Sequence, residues 1–221
     1  MNNFNTWIFD LDNTIYSASL NIFPQITTRI LNYMTSRLGI TYDEAFKLQK
    51  RYVIEYGVTV SGLVKDFKID AEDFLNYVHQ IDLEEIKPDQ ELTTALKSLS
   101  GRKIVYTNGV YEHAARILKK MELFELFEAI YDLRMADYIP KPQITAYKQF
   151  VKKYDFDPKK ACMFDDMTHN LEPAAKVGMK TAWINAELEW SKVLGVKETT
   201  SFRPDFVASS LTEALKIIKG E

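Results

Sequence analysis

The sequence predicts an α/β fold: a parallel sheet covered by helices on both faces, with a four-helix block inserted after the first strand. Three observations predict it. The chain opens on a short apolar run, Trp7-Ile8-Phe9, that delivers acidic residues. From Pro24 to about Lys87 the apolar residues recur at helical spacing with no convincing strand. After Pro88 short β-rich runs alternate with helical stretches, as parallel strands joined by crossover helices require. The expected division is a sheet-bearing part at 1–15 and 88–221 and a helical insertion at 16–87.

The elements follow in order. Trp7-Ile8-Phe9 is the first strand. Pro24 suits a helix first turn, and Ile26, Ile30, Leu31, Met34 and Leu38 share one face before Gly39 stops it. Thr41 and Glu44 have capping-box spacing, followed by a stripe of Ala45, Leu48, Tyr52 and Tyr56 and a stop at Gly57. Further helices are expected over 59–67 and 71–79. In the second half, a helix over 89–99 precedes a buried strand at 103–107 that ends in Asn108-Gly109. A helix over 111–121, a short strand at Ile130-Tyr131 and a helix over 145–154 come next. Ala161-Cys162-Met163-Phe164 is a strand ending on Asp165-Asp166, followed by a helix over 171–177, a strand over 181–184 and a closing helix over 211–219.

Bulk properties narrow the function. The 221 residues are 46% hydrophobic, enough for a sizeable core, and the net charge of -3 offers no electrostatic footprint for nucleic acid or an anionic membrane. Cys162 is the sole cysteine, so an intramolecular disulfide or a multi-cysteine zinc site is excluded. The polar N-terminus lacks signal-peptide character, and no run reaches the length of a membrane span. A soluble cytoplasmic protein with a small-molecule partner is expected; the oligomeric state is left open.

In a strand end, residues i and i+2 point to the same side, so Asp10 and Asp12 can face one site. Two carboxylates that close repel unless a cation lies between them or one works as an acid. Taken alone the pair reads as a metal site, an acid/base site or an idle acidic turn. Open parallel sheets bind ligands outside the carboxyl ends of their strands, and two further strands end there in Thr107-Asn108-Gly109 and Asp165-Asp166. Lys141 lies between them in sequence, in a loop stiffened by Pro140 and Pro142.

These motifs, Asp10-Leu11-Asp12-Asn13-Thr14, Thr107-Asn108, Lys141 and Phe164-Asp165-Asp166 with Asn170 downstream, resemble those of the haloacid dehalogenase superfamily of phosphohydrolases over essentially the whole chain. The resemblance implies a three-layer Rossmann-like core with an early helical cap. The stretch Gln49–Gly57 with Ser61-Gly62-Leu63 is similar to the cap of pyrimidine 5'-nucleotidases. It implies a Mg²⁺-dependent phosphomonoester hydrolase with Asp10 as nucleophile and an aspartyl-phosphate intermediate. Asp12 is then the proton shuttle. Thr107, the amides around Asn108 and Gly109, and Lys141 receive the phosphoryl group. The ion is implied to be held by Asp10, the Asp12 carbonyl and Asp166, with Asp165 beside it; which of the adjacent pair ligates directly stays open. Thr14 is expected to order the loop.

Within the insertion, Tyr16, Phe23, Tyr52 and Tyr56 could stack a base and Lys50 or Arg51 meet polar edges, or the aromatics could serve the insertion's own core. Other small phosphomonoesters, such as phosphoglycolate or a sugar phosphate, are the alternative substrates. A haloacid dehalogenase needs neither metal nor an acid at Asp12, and a non-catalytic protein would not need every catalytic group. His79, His113 and His169 lack metal-ligand spacing and read as surface or helix-face residues. Cys162, Trp7, Trp183 and Trp190 read as packing residues.

Overall fold

A computed structural model describes residues 4–185 and 201–220. The described residues fall into two compact units, one containing 4–20, 84–185 and 201–220, the other Asn21–Leu83. Trp190 lies outside the described residues.

The first unit is built on a six-stranded, fully parallel sheet with strand order β3-β2-β1-β4-β5-β6. The strands are β1 (Thr6–Phe9), β2 (Arg102–Tyr106), β3 (Ala129–Tyr131), β4 (Ala161–Asp165), β5 (Lys180–Ile184) and β6 (Phe206–Ala208). β1 lies between β2 and β4, with Ile8 level with Ile104 on one side and Met163 on the other. Alternation sends successive side chains to opposite faces. Ile8, Ile104, Tyr106 and Met163 join one core cluster with Tyr147 and Phe150 of α7 (Ile144–Tyr154) and Leu171 and Ala174 of α8 (Thr168–Lys176). Phe9 stacks on Phe164 at 4.9 Å and meets Phe127 edge-on at 5.6 Å. α5 (Gln90–Lys97) packs on α9 (Leu211–Lys219), which packs in turn on β5 and β6. α6 (Tyr111–Lys120) follows β2.

The second unit consists of α1 (Ile22–Leu38), α2 (Tyr42–Tyr56), α3 (Thr59–Phe67) and α4 (Ala71–Val78). The local signals act as their chemistry requires. Gly39 and Gly57 adopt the left-handed conformation that ends α1 and α2, and the Thr41–Glu44 capping box is reciprocal. Tyr52 is fully buried, donates its hydroxyl to Asp66 at 2.6 Å, and packs on Gly62 so closely that a Cβ there would lie 2.2 Å from its ring. Arg51 is exposed and pairs with the same Asp66. Tyr56 is half-buried, bonded to Glu55 and Lys65. Of the aromatics weighed for stacking, Tyr52 is thus part of this unit's own core.

The sequence misses β6. Its three residues, Phe206-Val207-Ala208, are too few to show alternation, and the strand exists because β5 offers it a free edge. Among the described residues, no helix is long and apolar enough to cross a membrane.

Candidate active site at the carboxyl ends of three strands

Three neighbouring strands, β2, β1 and β4, supply the site. Asp10 follows β1 directly, and its N–H donates to the Phe164 carbonyl at 2.9 Å, extending the β1–β4 pairing by one residue. Asp165 is the last residue of β4. Thr107 follows β2, its N–H bonded to the Tyr131 carbonyl at 3.0 Å. Backbone pairing therefore fixes where each side chain starts.

Lys141 sits in the loop before α7, and Asn108 holds that loop with both ends of its amide. Its Nδ2 donates to the Lys141 carbonyl at 3.0 Å, and its Oδ1 accepts from the Lys141 N–H at 2.8 Å. The lysine is 1% exposed, and Nζ donates to Asp10 Oδ1 at 2.7 Å and Asp165 Oδ2 at 2.6 Å. Burial alone would push this ammonium down; the two carboxylates more than reverse that and hold it above the ordinary lysine range.

Asp165 is committed elsewhere too, since its Oδ1 accepts from the Met167 N–H and from Asn170 Nδ2, both at 2.9 Å. Asp166 differs. Its Oδ2 is buried with no hydrogen-bond partner, while its carbonyl accepts from Trp183 Nε1 at 3.0 Å. Asp10, Asp165 and Asp166 each place one carboxylate oxygen within 4.8 Å of the others. Burial raises Asp10 to about 7 despite Lys141, and Asp165 and Asp12 add to the rise. Burial and the charges of Asp165 and Asp10 raise Asp166 well above the usual carboxylate range. Lys141 does not offset the burial and mutual repulsion that raise Asp10 and Asp166. An orphan carboxylate oxygen beside surplus negative charge fits a hard divalent cation with oxygen ligands.

Asp12 is held separately. Its Oδ1 accepts from Tyr16 Oη at 2.6 Å and lies 2.9 Å from His113 Nε2. Burial, then the Asp12 charge, pushes the Tyr16 phenol well above its ordinary value, so it remains a donor. Tyr16 thus belongs to the sheet-bearing unit, buried and bonded to Asp12. His113 is not a surface residue: it is 1% exposed. Its link to Asp12 spans 101 residues, which no spacing argument reaches; Tyr16, four residues beyond Asp12, was within reach of one.

Two loops at the site, the turn after β2 and the turn after Asp10, each depart from expectation in one detail. The Gly109 N–H donates to Thr107 Oγ1 at 2.9 Å, a local turn that spends an amide expected to meet phosphate. The Thr14 hydroxyl is buried without a partner. The loop is ordered instead by Thr14 and Ile15 N–H groups on the Leu11 carbonyl, with Asn13 at φ 61°. Cys162 and Trp7 are buried in the core, whereas Trp183 is half-buried. His169 is largely buried, which lowers its imidazole.

Comparison with known proteins agrees with this architecture. The chain is 30% identical over 191 residues to Phosphate metabolism protein 8 of Saccharomyces cerevisiae, an alignment covering 78% of this chain and 59% of that protein. The chain therefore spans less than two thirds of that relative. A phosphatase structure from Thermococcus onnurineus superposes with a TM-score of 0.64 at 20% identity, over 98% of this chain and 99% of that one. L-2-haloacid dehalogenase from Xanthobacter autotrophicus superposes with a TM-score of 0.63 at 12% identity, over the same shares. At those identities the likeness concerns the fold. The model of the haloacid dehalogenase-like hydrolases matches residues 4–178, and the chain belongs to that family.

Proposed function

We propose that this hydrolase cleaves phosphomonoesters with Mg²⁺, working through an aspartyl-phosphate on Asp10. The observation that carries the reading is the division of labour among four carboxylates. Asp165 is bonded to Lys141, Asn170 and a backbone amide; Asp166 keeps a buried oxygen without a partner; Asp10 shares Lys141 with Asp165; and Asp12 accepts from Tyr16 with His113 against the same oxygen. A dehalogenase has no use for an acid at Asp12 or for a cation site, so this arrangement favours phosphoryl chemistry.

Asp10, the Asp12 backbone carbonyl and Asp166 would hold the ion, with Asp165 retained by Lys141. When bound, it would neutralise the carboxylates and the phosphoryl oxygens and so let two anions approach. In the first step the Asp10 carboxylate attacks phosphorus and the ester P–O bond breaks, with Asp12 giving its proton to the departing alkoxide. In the second, Asp12 takes a proton from a water that attacks the same phosphorus. The acyl-phosphate bond breaks, phosphate leaves and Asp10 is restored. Lys141 balances charge on Asp10 throughout, and the Thr107 hydroxyl, which accepts from Gly109, has its own proton to give to a phosphoryl oxygen.

We assign catalysis to the sheet-bearing unit, expected over 1–15 and 88–221 and joined by Tyr16, and substrate selection to the helical part of the expected 16–87 insertion, Asn21–Leu83. Pyrimidine nucleoside 5'-monophosphates are the first substrate class, on the likeness of Gln49–Gly57 with Ser61-Gly62-Leu63 to nucleotidase caps. Other small phosphomonoesters gain weight because Tyr52 and Tyr16 are already engaged, leaving fewer aromatics for a base. The relative's printed name, Phosphate metabolism protein 8, supports phosphate chemistry in general. Phosphate release from a panel of nucleotides, sugar phosphates and phosphoglycolate, with and without EDTA, tests the reading. Activity lost to EDTA and absent from Asp10→Asn is expected; release that survives either change would refute it.

A further inference from the structure

Two buried side chains at the site have no part in the scheme above. His113 Nε2 and Tyr16 Oη converge on one oxygen, Asp12 Oδ1, from different parts of the unit. Tyr16 follows from the loop after β1, and His113 comes from the first turn of α6, with a side chain 0% exposed. Facing a carboxylate oxygen, the histidine Nε2 carries the ring proton and donates, as the phenol does. Two donors on one oxygen stop the carboxylate turning about its Cβ–Cγ bond.

Such restraint matters for proton transfer. A general acid must lie within hydrogen-bond reach of the atom it protonates, and a misplacement of about 1 Å can cost roughly a hundredfold in rate. The need is greatest for an alkoxide leaving group and small for a nitrophenolate, which departs without a proton.

We propose that His113 and Tyr16 are positioning residues that lock Asp12 in the orientation from which it protonates the leaving group, and so set how well the enzyme expels poor leaving groups. The inference rests on the reading of Asp12 as the general acid. The geometry also predicts which replacement suffices at each place. A glutamine at 113 can put an amide N–H near the imidazole Nε2 position, whereas leucine fills the space without a donor. Phenylalanine at 16 removes one oxygen and keeps the ring.

The test compares kcat/KM, which reports the step that expels the leaving group, for p-nitrophenyl phosphate and for the best alkyl or nucleoside monophosphate of the panel. His113→Leu and Tyr16→Phe should lower the alkyl-ester value about tenfold or more, as loss of a hydrogen bond to a charged group implies. The nitrophenyl value should fall less than about threefold, and His113→Gln should recover most of the alkyl-ester loss. Equal losses on both esters would show general damage to the site and overturn the proposal, as would an unchanged alkyl-ester value. Tyr16→Phe, a one-atom deletion, keeps the test open if His113→Leu does not fold. Wild-type protein that releases phosphate from neither ester would instead refute the phosphatase reading.

Discussion

Replacing Lys141 with methionine keeps the length of the side chain and removes its charge. In the native protein that charge is 1% exposed and shared by Asp10 at 2.7 Å and Asp165 at 2.6 Å, whose side chains are 11% and 0% exposed. Deleting one partner of a buried pair costs about 3–5 kcal/mol, because the remaining charge is left uncompensated. For a chain of this size each kcal/mol lowers the melting temperature by about 2–4 °C, so Lys141→Met should melt about 6–20 °C below wild type in EDTA at pH 7.5. Asp10 already sits at about 7 with the lysine beside it, and without it should rise further and be protonated at neutral pH. Phosphate release should therefore be lost as well. Removing one of the stranded charges should return part of the stability: Lys141→Met/Asp165→Asn should be more stable than the sum of the single losses predicts, by at least about 1 kcal/mol. A Lys141→Met protein that melts within about 2 °C of wild type, or still releases phosphate, would refute the charge-balance argument.

Asp12→Asn keeps the shape of the proton shuttle without its proton and should lower kcat for alkyl monoesters roughly a hundredfold or more; a smaller loss would remove Asp12 from the acid/base role. The raised Asp10 carboxyl also makes stability depend on pH. Its folded-state value, about 7, lies above its unfolded value of 3.8, so the native state binds more protons between them. In EDTA that contribution is full below about pH 4 and is lost as pH rises through about 7, amounting to about 4 kcal/mol at most. Asp10→Asn should accordingly gain melting temperature relative to wild type as pH rises from about 5 to about 8, and a relative loss would reverse the sign of the argument. In the helical unit, Gly62→Ala would drive a Cβ to 2.2 Å from the Tyr52 ring, which its bond to Asp66 holds in place. About 1–3 kcal/mol of destabilisation in urea is expected, and a neutral result would mean that the ring moves aside easily.

Much of the fold was legible because its signals are local. Gly39, Gly57 and the Thr41–Glu44 box mark helix ends within a few residues of the atoms they satisfy, and the apolar runs at Ile104 and Met163 mark buried strands. The acidic strand ends could be read because a parallel sheet brings such ends together whatever the sequence between them. What escaped was partnership across long separations and competition for the same atom. His113 had only its own helix as context, where a histidine on an apolar face looks ordinary; β2 and its pairing with β1 carry it to Asp12. Tyr52 and Tyr16 were aromatic residues with two uses, and only their hydroxyl partners, Asp66 and Asp12, distinguish them. Gly109 is similar, since a turn's own hydroxyl claimed the amide before a ligand could.

The placement of β1 between β2 and β4 also has a bearing on how the chain acquires its activity. Thr6 aligns with Arg102 on one side and Ala161 on the other, pairings that close loops of about 100 and about 150 residues. During synthesis the first strand leaves the ribosome long before either neighbour exists, while among the described residues α1 to α4 pack on one another within one stretch of chain. Local helical contacts form quickly and distant strand pairings slowly, so Asn21–Leu83 can consolidate while the strand bearing Asp10 still waits for its partners. A nascent chain halted before β4 would carry Asp10 but neither Asp165 nor Asp166. Under the proposed chemistry, competence waits for β1 to pair with both β2 and β4, and phosphate release during refolding is a clock for that event.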